Sequence, residues 1–456
     1  MRLLPRSAKG TWLLAAAVWM GGCAGMWWLI PLRPRAVMTV PGDNSVLGVS
    51  PGGKAVTLMG RGAEEGDRVP VRVWDTVAGS LRTVVSEKDV QATCAQSPDG
   101  RWLAVGVGPV DREGGVNRLR ILDLTTGSED ELAGPDGAPR WYELAVFSPD
   151  SRWLAVAEHE RAAAPGTNQP GVRLWDLEAH RAGVSLPTAR PTFTFSPDGR
   201  RLAGEVWLED ATNNGGFETV LWDTATGREL AHLPTPRFLN VVALAPDGTA
   251  LIGEYREIEP VLPAPMEYAC WNFVGGQKRW SVPNGERLFA VVGGSRLMGH
   301  RHDATAGTKD VVVLDAADGR EVGRMTLGKK VCLTNAGPDG QTIFVVTPHP
   351  LGLDAVWVWL AAHGVLWPQS MSDCHLELLD TVTGRRLLTL PDGNAAFAPD
   401  GQSFAFISDE RPGTVELWDT PPRKPLTWFA LAAAILTLLL AGLTWRRSRR
   451  LRREVA

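Results

Sequence analysis

Four kinds of residue in this 456-residue chain carry usable chemistry. His300, His302 and Asp303 in HRHD (300–303) are the donor types of a metal site. Two histidines at i and i+2 in a polar loop are more commonly solvated, and no further ligand is in view, so no metal is assigned. Cys94, Cys270, Cys332 and Cys374 show neither a CxxC pair nor metal-ligand spacing. They read as small buried apolar side chains, although an oxidising compartment would permit disulfides. Aspartates recur in Pro-Asp-Gly and Trp-Asp pairs, once per repeating unit, as structural residues do. No Gly-rich phosphate loop, HExxH helix or GxSxG elbow is present. The expectation is a protein with no catalytic residue and no cofactor.

The fourth kind is tryptophan. PLGLDAVWVWLAAHGVLWP (350–368) holds only Asp354 and His363 as ionisable groups. Trp357, Trp359, Leu360 and Trp367 in it are candidate partner-binding residues, because exposed apolar patches of this size mark interaction sites. The other reading is a plug or helix folded back over the rim of the scaffold. The segment is short for a membrane helix.

What positions these residues is a repeat. One half is a turn: SPGG (50–53), SPDG (97–100), SPDS (148–151), SPDG (196–199), APDG (245–248), GPDG (337–340) and APDG (398–401). The other half is an apolar run closing on an acid or amide: VRVWD (71–75), LRILD (119–123), VRLWD (172–176), TVLWD (219–223), YACWN (268–272), VVVLD (311–315), LELLD (376–380) and VELWD (415–419). Proline presets φ at i+1 of a type I turn, Ser and Asp bond backbone amides, and Gly suits i+3, so the first half is a hairpin turn. The alternation in VRLWD predicts a strand with one packed face. A Thr-Gly or Asp-Gly turn and a fourth strand follow, as in TATGRELAHL (224–233).

Four antiparallel strands repeated eight times predict an all-β propeller. SPDGRWLAV (97–105) followed by LRILDLTTG (119–127) resembles WD40-type repeats and the related PD40 repeats of bacterial propellers. The resemblance covers most of 36–420. It lacks a regular Gly-His dipeptide, which removes the histidine of the inner hydrogen-bond network. The sixth unit is degenerate at GGSR (293–296), so a seven-bladed ring with an irregular insertion is the alternative to eight blades.

The last unit lacks a fourth strand, since VELWD runs directly into TPPRKP (420–425). Ala36–Val40 belongs to no other unit and is expected to supply that strand, beside Val415–Asp419. WD40-type propellers close this way, and closure removes an exposed sheet edge. Asp419 and Ala36 are then neighbours. The turns share one face, expected toward the membrane, and the long loops lie opposite.

Residues 11–31 and 425–445 lack charge and are long enough to cross a bilayer core. Tryptophans bracket both, and six arginines follow the second in RRSRRLRR (446–453), which keeps that end cytoplasmic by the positive-inside rule. The domain expectation is a cytoplasmic stub (1–10), a helix (11–31), a propeller (36–420), a helix (425–445) and a basic tail (446–456). A cleaved signal, or lipidation at Cys23 in MGGCAG (20–25), is the alternative for the first segment. Residues 36–420 hold 34 basic and 50 acidic residues, net −16, which excludes an electrostatic nucleic-acid footprint.

The loops between second and third strands differ most between units, and binding residues concentrate on such loops. The functional expectation is a membrane-anchored scaffold, periplasmic on a bacterial inner membrane, binding a protein partner through these loops. An enzyme or small-ligand receptor using the central channel is the alternative.

Overall fold

A computed structural model describes residues 8–29, 31–60, 68–88, 90–110, 116–132, 140–160, 170–187, 192–208, 216–233, 238–255, 267–283, 288–292, 295–303, 308–327, 332–348, 374–424 and 426–455. The chain divides into two units, one formed by Met1–Arg35 with Asp419–Ala456 and the other by Ala36–Trp418.

The larger unit is an eight-bladed propeller of four-stranded antiparallel sheets. Blade 1 comprises Asn44–Val49, Ala55–Gly60, Arg68–Asp75 and Ser80–Lys88; blade 2, Val90–Gln96, Trp102–Val110, Val116–Asp123 and Glu129–Leu132. Blade 3 follows with Arg140–Phe147, Trp153–Glu160, Pro170–Asp176 and Arg181–Leu186. Blades 2 and 3 share one continuous sheet through a single pair, Tyr142 opposite Val116. Blade 4 is Phe193–Phe195, Arg201–Leu208, Gly216–Asp223 and Glu229–Leu233; blade 5 is Phe238–Leu244, Ala250–Tyr255, Glu267–Asn272 and Lys278–Pro283.

The degenerate sixth unit is a full blade: Leu288–Val292, Arg296–Asp303, Thr308–Asp315 and Glu321–Leu327. Loss of the Pro-Asp pair leaves the hairpin intact because the ladder Leu288↔Gly299 to Val292↔Arg296 holds it. The seven-bladed alternative is thereby overturned. Blade 7 is Cys332–Ala336, Thr342–Pro348, Cys374–Asp380 and Arg386–Pro391. Blade 8 takes Gly393–Phe397, Ser403–Ser408 and Thr414–Asp419 from the end of the domain and Ala36–Thr39 from its start.

That last sheet is the expected closure. Ala36 stands opposite Leu417, Met38 opposite Val415, and the Val40 amide donates to the Gly413 carbonyl at 2.8 Å. Val40, Val46, Val56, Leu58 and Trp74 of the N-terminal part pack against Ala405, Ile407, Val415 and Leu417 in one buried cluster, so the ring is sealed by side chains as well as backbone.

Between the other blades the core is likewise shared. Leu103, Val105 and Val107 pack toward blade 1, whereas Trp102 and Ala104 on the same strand pack toward blade 3. Blades 7 and 8 meet through aromatic rings, with Phe344 centred 4.9 Å from Phe397 and 5.0 Å from Phe404. Each blade is thus covered on both faces, and this corrects one expectation. The arginine of VRLWD does not face solvent: Arg173 is 3% exposed and its guanidinium bonds Glu158 at 2.7–2.9 Å. Along that strand Val172 and Leu174 pack toward blade 4, while Trp175 packs toward blade 2.

Several expected loops are shorter than the sequence implied. HRHD is not a loop but the end of the strand Arg296–Asp303, with His300 opposite Val311 and His302 opposite Lys309. Backbone ladders extend into polar residues because their hydrogen bonds require no apolar side chain.

In the smaller unit, helix α1 (Ala8–Leu29) lies against helix α2 (Leu426–Val455). The arginine run is the last part of α2 and not a separate tail. Trp19 Nε1 donates to Thr437 Oγ1 at 2.8 Å, and a Cβ on Gly22 would sit 2.7 Å from Leu436 Cδ2, so the helices approach closely. Among the described residues no helix is long and apolar enough to cross a membrane.

Candidate functional site

The inner turn of each blade, between its first two strands, is built by a serine and an aspartate. Ser97 Oγ donates to Asp99 Oδ1 at 2.5 Å and accepts from the Trp102 amide at 2.8 Å; Ser148 and Ser196 repeat both contacts with Asp150 and Asp198. In all six Pro-Asp turns the carboxylate accepts the amide two residues on, from Arg101, Arg152, Arg200, Thr249, Gln341 and Gln402. Ser151 holds a left-handed φ of 59° where other turns have glycine, and its hydroxyl accepts the Asp99 amide of the preceding blade.

An aspartate that ends a third strand caps the outer turn in several blades. Asp75 accepts from Val77 and Ala78, Asp123 from Thr125 and Thr126, and Asp380 from Val382 and Thr383. Asp123 is buried, which works against its charge, yet the Arg101 guanidinium at 2.7 Å and the two threonine amides outweigh burial and bring its pKa down to about 2. Hydrogen bonds from Thr226 and Thr383 lower Asp223 and Asp380 in the same way. These carboxylates are committed to backbone amides. Recurrence in the sequence already marked them as structural.

The tryptophans of the third strands do not enter a histidine-based network. Trp418 Nε1 donates to Glu416 within its own strand, and the buried indole nitrogens of Trp74 and Trp175 have no hydrogen-bond partner among the described residues. The absent Gly-His dipeptide was the signal for this.

The opposite face carries the loops between second and third strands. Trp357, Trp359, Leu360 and Trp367 lie outside the described residues. What is placed is the mouth of their loop: Pro348 opposite Cys374 and Thr347 opposite His375, which hold the two ends of 349–373 at strand spacing. Below that mouth sits a polar cluster that sequence reasoning missed. His375 Nε2 meets Thr347 Oγ1 at 2.8 Å and Glu377 Oε1 at 3.2 Å, and Arg386 donates to the same Glu377 oxygen at 2.7 Å. Ile343, Val345 and Leu379 continue the same sheet face into the buried core toward blade 6. A histidine and a glutamate two apart on the strand leaving a long loop were the available signal.

Thr, His and Glu are the residue types of a nucleophile, a base and its orienting acid. Orientation requires the acid on the ring nitrogen opposite the nucleophile. Here Thr347 and Glu377 share Nε2. The arrangement clamps two strands together and does not arm the threonine.

The remaining predicted residues fall as follows. Ala36, Val40 and Val415 meet at the closure, and Asp419 pairs with Arg35 at 3.1 Å. His300, His302 and Asp303 share a strand. Burial pushes the Cys94 thiol up to about 11 and the Cys270 thiol up to about 12, so both are inert side chains at neutral pH.

No family model matches the chain, and no curated protein matches it significantly. Among solved structures, a chain of Kuenenia stuttgartiensis hydrazine synthase is similar over 85% of this chain and 98% of its own, at 15% identity and a TM-score of 0.39. Similarity of that degree carries no argument about activity. The WD40 and PD40 resemblance therefore remains one of repeat pattern, and the propeller rests on the strand topology itself.

Proposed function

We propose that the protein is a membrane-anchored, non-catalytic propeller scaffold that docks a protein partner on its loop face, with 349–373 as the main contact. The observation that carries this reading is the asymmetry of the two faces. The turn face spends its carboxylates on its own backbone, whereas blade 7 builds a braced mouth, Thr347–His375–Glu377–Arg386, beneath a Trp-rich insertion. A rigid base under an apolar loop is what a docking element needs, because pre-ordering reduces the entropy lost on binding.

The anchor is supported by the surface of the helix pair. Leu13, Met20, Leu438, Leu439 and Leu443 are each 60% or more exposed. Helices joined through Trp19–Thr437 and a glycine contact, with leucines outward, have the pattern of packing in lipid rather than in water. With both termini cytoplasmic, the propeller occupies the periplasmic side of a bacterial inner membrane.

Proximity crosslinking in native membranes, with 347–374 intact and deleted, tests the docking role; a partner set unchanged by the deletion refutes it. Protease added from outside should cut 36–420 and spare the arginines of 446–453. Cleavage of those arginines alone reverses the topology.

A further inference from the structure

Each outer turn, the one between third and fourth strands, presents to solvent the residue two places after the end of its third strand. Around the ring these residues are Val77, Thr125, Glu178, Ala225, Val274, Ala317 and Val382. Thr125 in DLTTG and Val382 in DTVTG occupy matching turns, and both amides donate to the preceding aspartate. The turn itself therefore does not require valine, since a hydroxyl in place of one methyl gives the same backbone bonding. Yet Val77 is 83% exposed, Val274 84% and Val382 70%, at turn positions where glycine and polar residues are usual. Val77 and Val382 are also fixed in place, because Asp75 and Asp380 hold their amides and those of Ala78 and Thr383. They are rigid apolar tips.

The tips are unevenly placed. Blades 2, 3 and 4 present Thr125, Glu178 and Ala225, whereas blades 5, 6, 7 and 1 present Val274, Ala317, Val382 and Val77. Blade 8 lies inside this apolar arc, packed on blade 1 through its core and on blade 7 through aromatic rings. It has no outer turn of its own. The chain enters at Ala36 and leaves at Asp419, where Arg35 and Asp419 pair at 3.1 Å. Helix α1 ends at Leu29 and α2 begins at Leu426, so each tether is short and reaches at most about 25 Å fully extended. The valine tips of blades 7 and 1 thus flank the place where the propeller is joined to helices with outward leucines such as Leu13 and Leu438.

We propose that this arc is a lipid-contact surface, with Val77, Val274 and Val382 entering the interfacial layer of a membrane while Glu178 stays in water. The inference rests on the membrane anchor proposed above and adds an orientation to it. Blade 3 stands opposite blade 7 in an eight-bladed ring, so the propeller leans toward the bilayer on its blade 7 side. Exposed aliphatic side chains gain by leaving water, and pre-ordered tips lose little entropy when they do. Separate tips around a ring share no continuous apolar floor. A fluid surface can close around each tip, whereas a protein interface needs a continuously packed core. The contact rests on apolar side chains and does not require anionic lipid.

The test places the photoreactive residue benzoylphenylalanine singly at positions 77, 274, 382 and 178 of the full chain, reconstituted in liposomes of neutral phosphatidylcholine. Lipid adducts are read by mass spectrometry after illumination. Yields at 77, 274 and 382 about tenfold or more above that at 178 are expected. Val274→Glu combined with Val382→Glu should bring the yield at 77 down to that at 178. All four are exposed turn positions, so matched thermal unfolding separates loss of contact from loss of the fold. An alkaline carbonate wash tests the anchor by itself. A chain stripped from the liposomes overturns the anchor and this contact with it, whereas a chain that stays bound with equal yields at 77, 382 and 178 overturns this contact alone. Adducts to protein in place of lipid in native membranes overturn it as well.

Discussion

Met38 and Val415 are register partners in one antiparallel ladder, although they come from opposite ends of the propeller. The ring is therefore closed by a strand that no other part of the chain supplies, and several consequences can be measured.

The first concerns that seam. Leu417 is fully buried in the cluster joining blades 8 and 1, whereas Val37, one ladder position away on the N-terminal strand, is 54% exposed. Leu417→Ala should cost about 2–5 kcal/mol, since it removes core contacts and leaves a cavity. Val37→Ala should stay within about 0.5 kcal/mol. Urea denaturation of both variants checks the contrast; equal losses would mean the seam is not closed as described.

The second concerns acid. The Asp123 carboxyl titrates at about 2 in the folded chain, below the value of about 3.9 for an unconstrained aspartate. The unfolded chain therefore takes up the proton first as pH falls. Its contribution is complete above about pH 5 and is lost between about pH 4 and pH 2. Asp198, Asp223, Asp247 and Asp380 are lowered too and act in the same direction. Asp123→Asn should flatten the fall in stability with acid while lowering stability at neutral pH by about 1.5–3 kcal/mol, the range for hydrogen bonds to charged groups. Thermal unfolding followed from pH 7 to pH 3 reads both effects.

Two glycines with nearly the same backbone separate strain from crowding. Gly127 has φ 78° and open space around its missing Cβ, while Gly319 has φ 70° and Trp280 within 2.7 Å. Gly127→Ala should cost about 1–2 kcal/mol, the strain of a left-handed alanine alone. Gly319→Ala must also displace an indole and should cost more. Similar losses would show that the blade 1–blade 2 junction is as filled as the others.

Thiol chemistry provides a fourth check. Cys94 and Cys270, with pKa values pushed to about 11 and about 12, should resist maleimide at pH 8 in the native protein and react on unfolding. Mass spectrometry of labelled peptides follows this. Rapid native labelling of Cys270 would contradict its complete burial.

Much of the architecture was legible because each blade repeats local chemistry. Ser-Pro-Asp-Gly sets its own turn through contacts two and five residues apart, and a Trp-Asp end caps the next, so turn position and strand order follow from sequence spacing alone. The partner of Val415–Asp419 was also recoverable, since Ala36–Val40 was the only strand-like run without a unit. Other features depend on which side chains meet between blades. Periodicity along VRLWD cannot show that Arg173 is buried against Glu158, because that follows from the pairing of Pro170–Asp176 with Trp153–Glu160. Thr347, His375 and Glu377 meet only when the strands flanking 349–373 pair. The open space beside Gly127 is set by what blade 1 fails to place against it. The sequence by itself determined the repeat, its turns and its closing strand, since these rest on backbone bonding between near neighbours and a count of strands. Only the tertiary structure decided the eight-fold count, the buried ion pair and the open space beside Gly127, since each depends on strands and side chains that the fold brings together from separated parts of the chain.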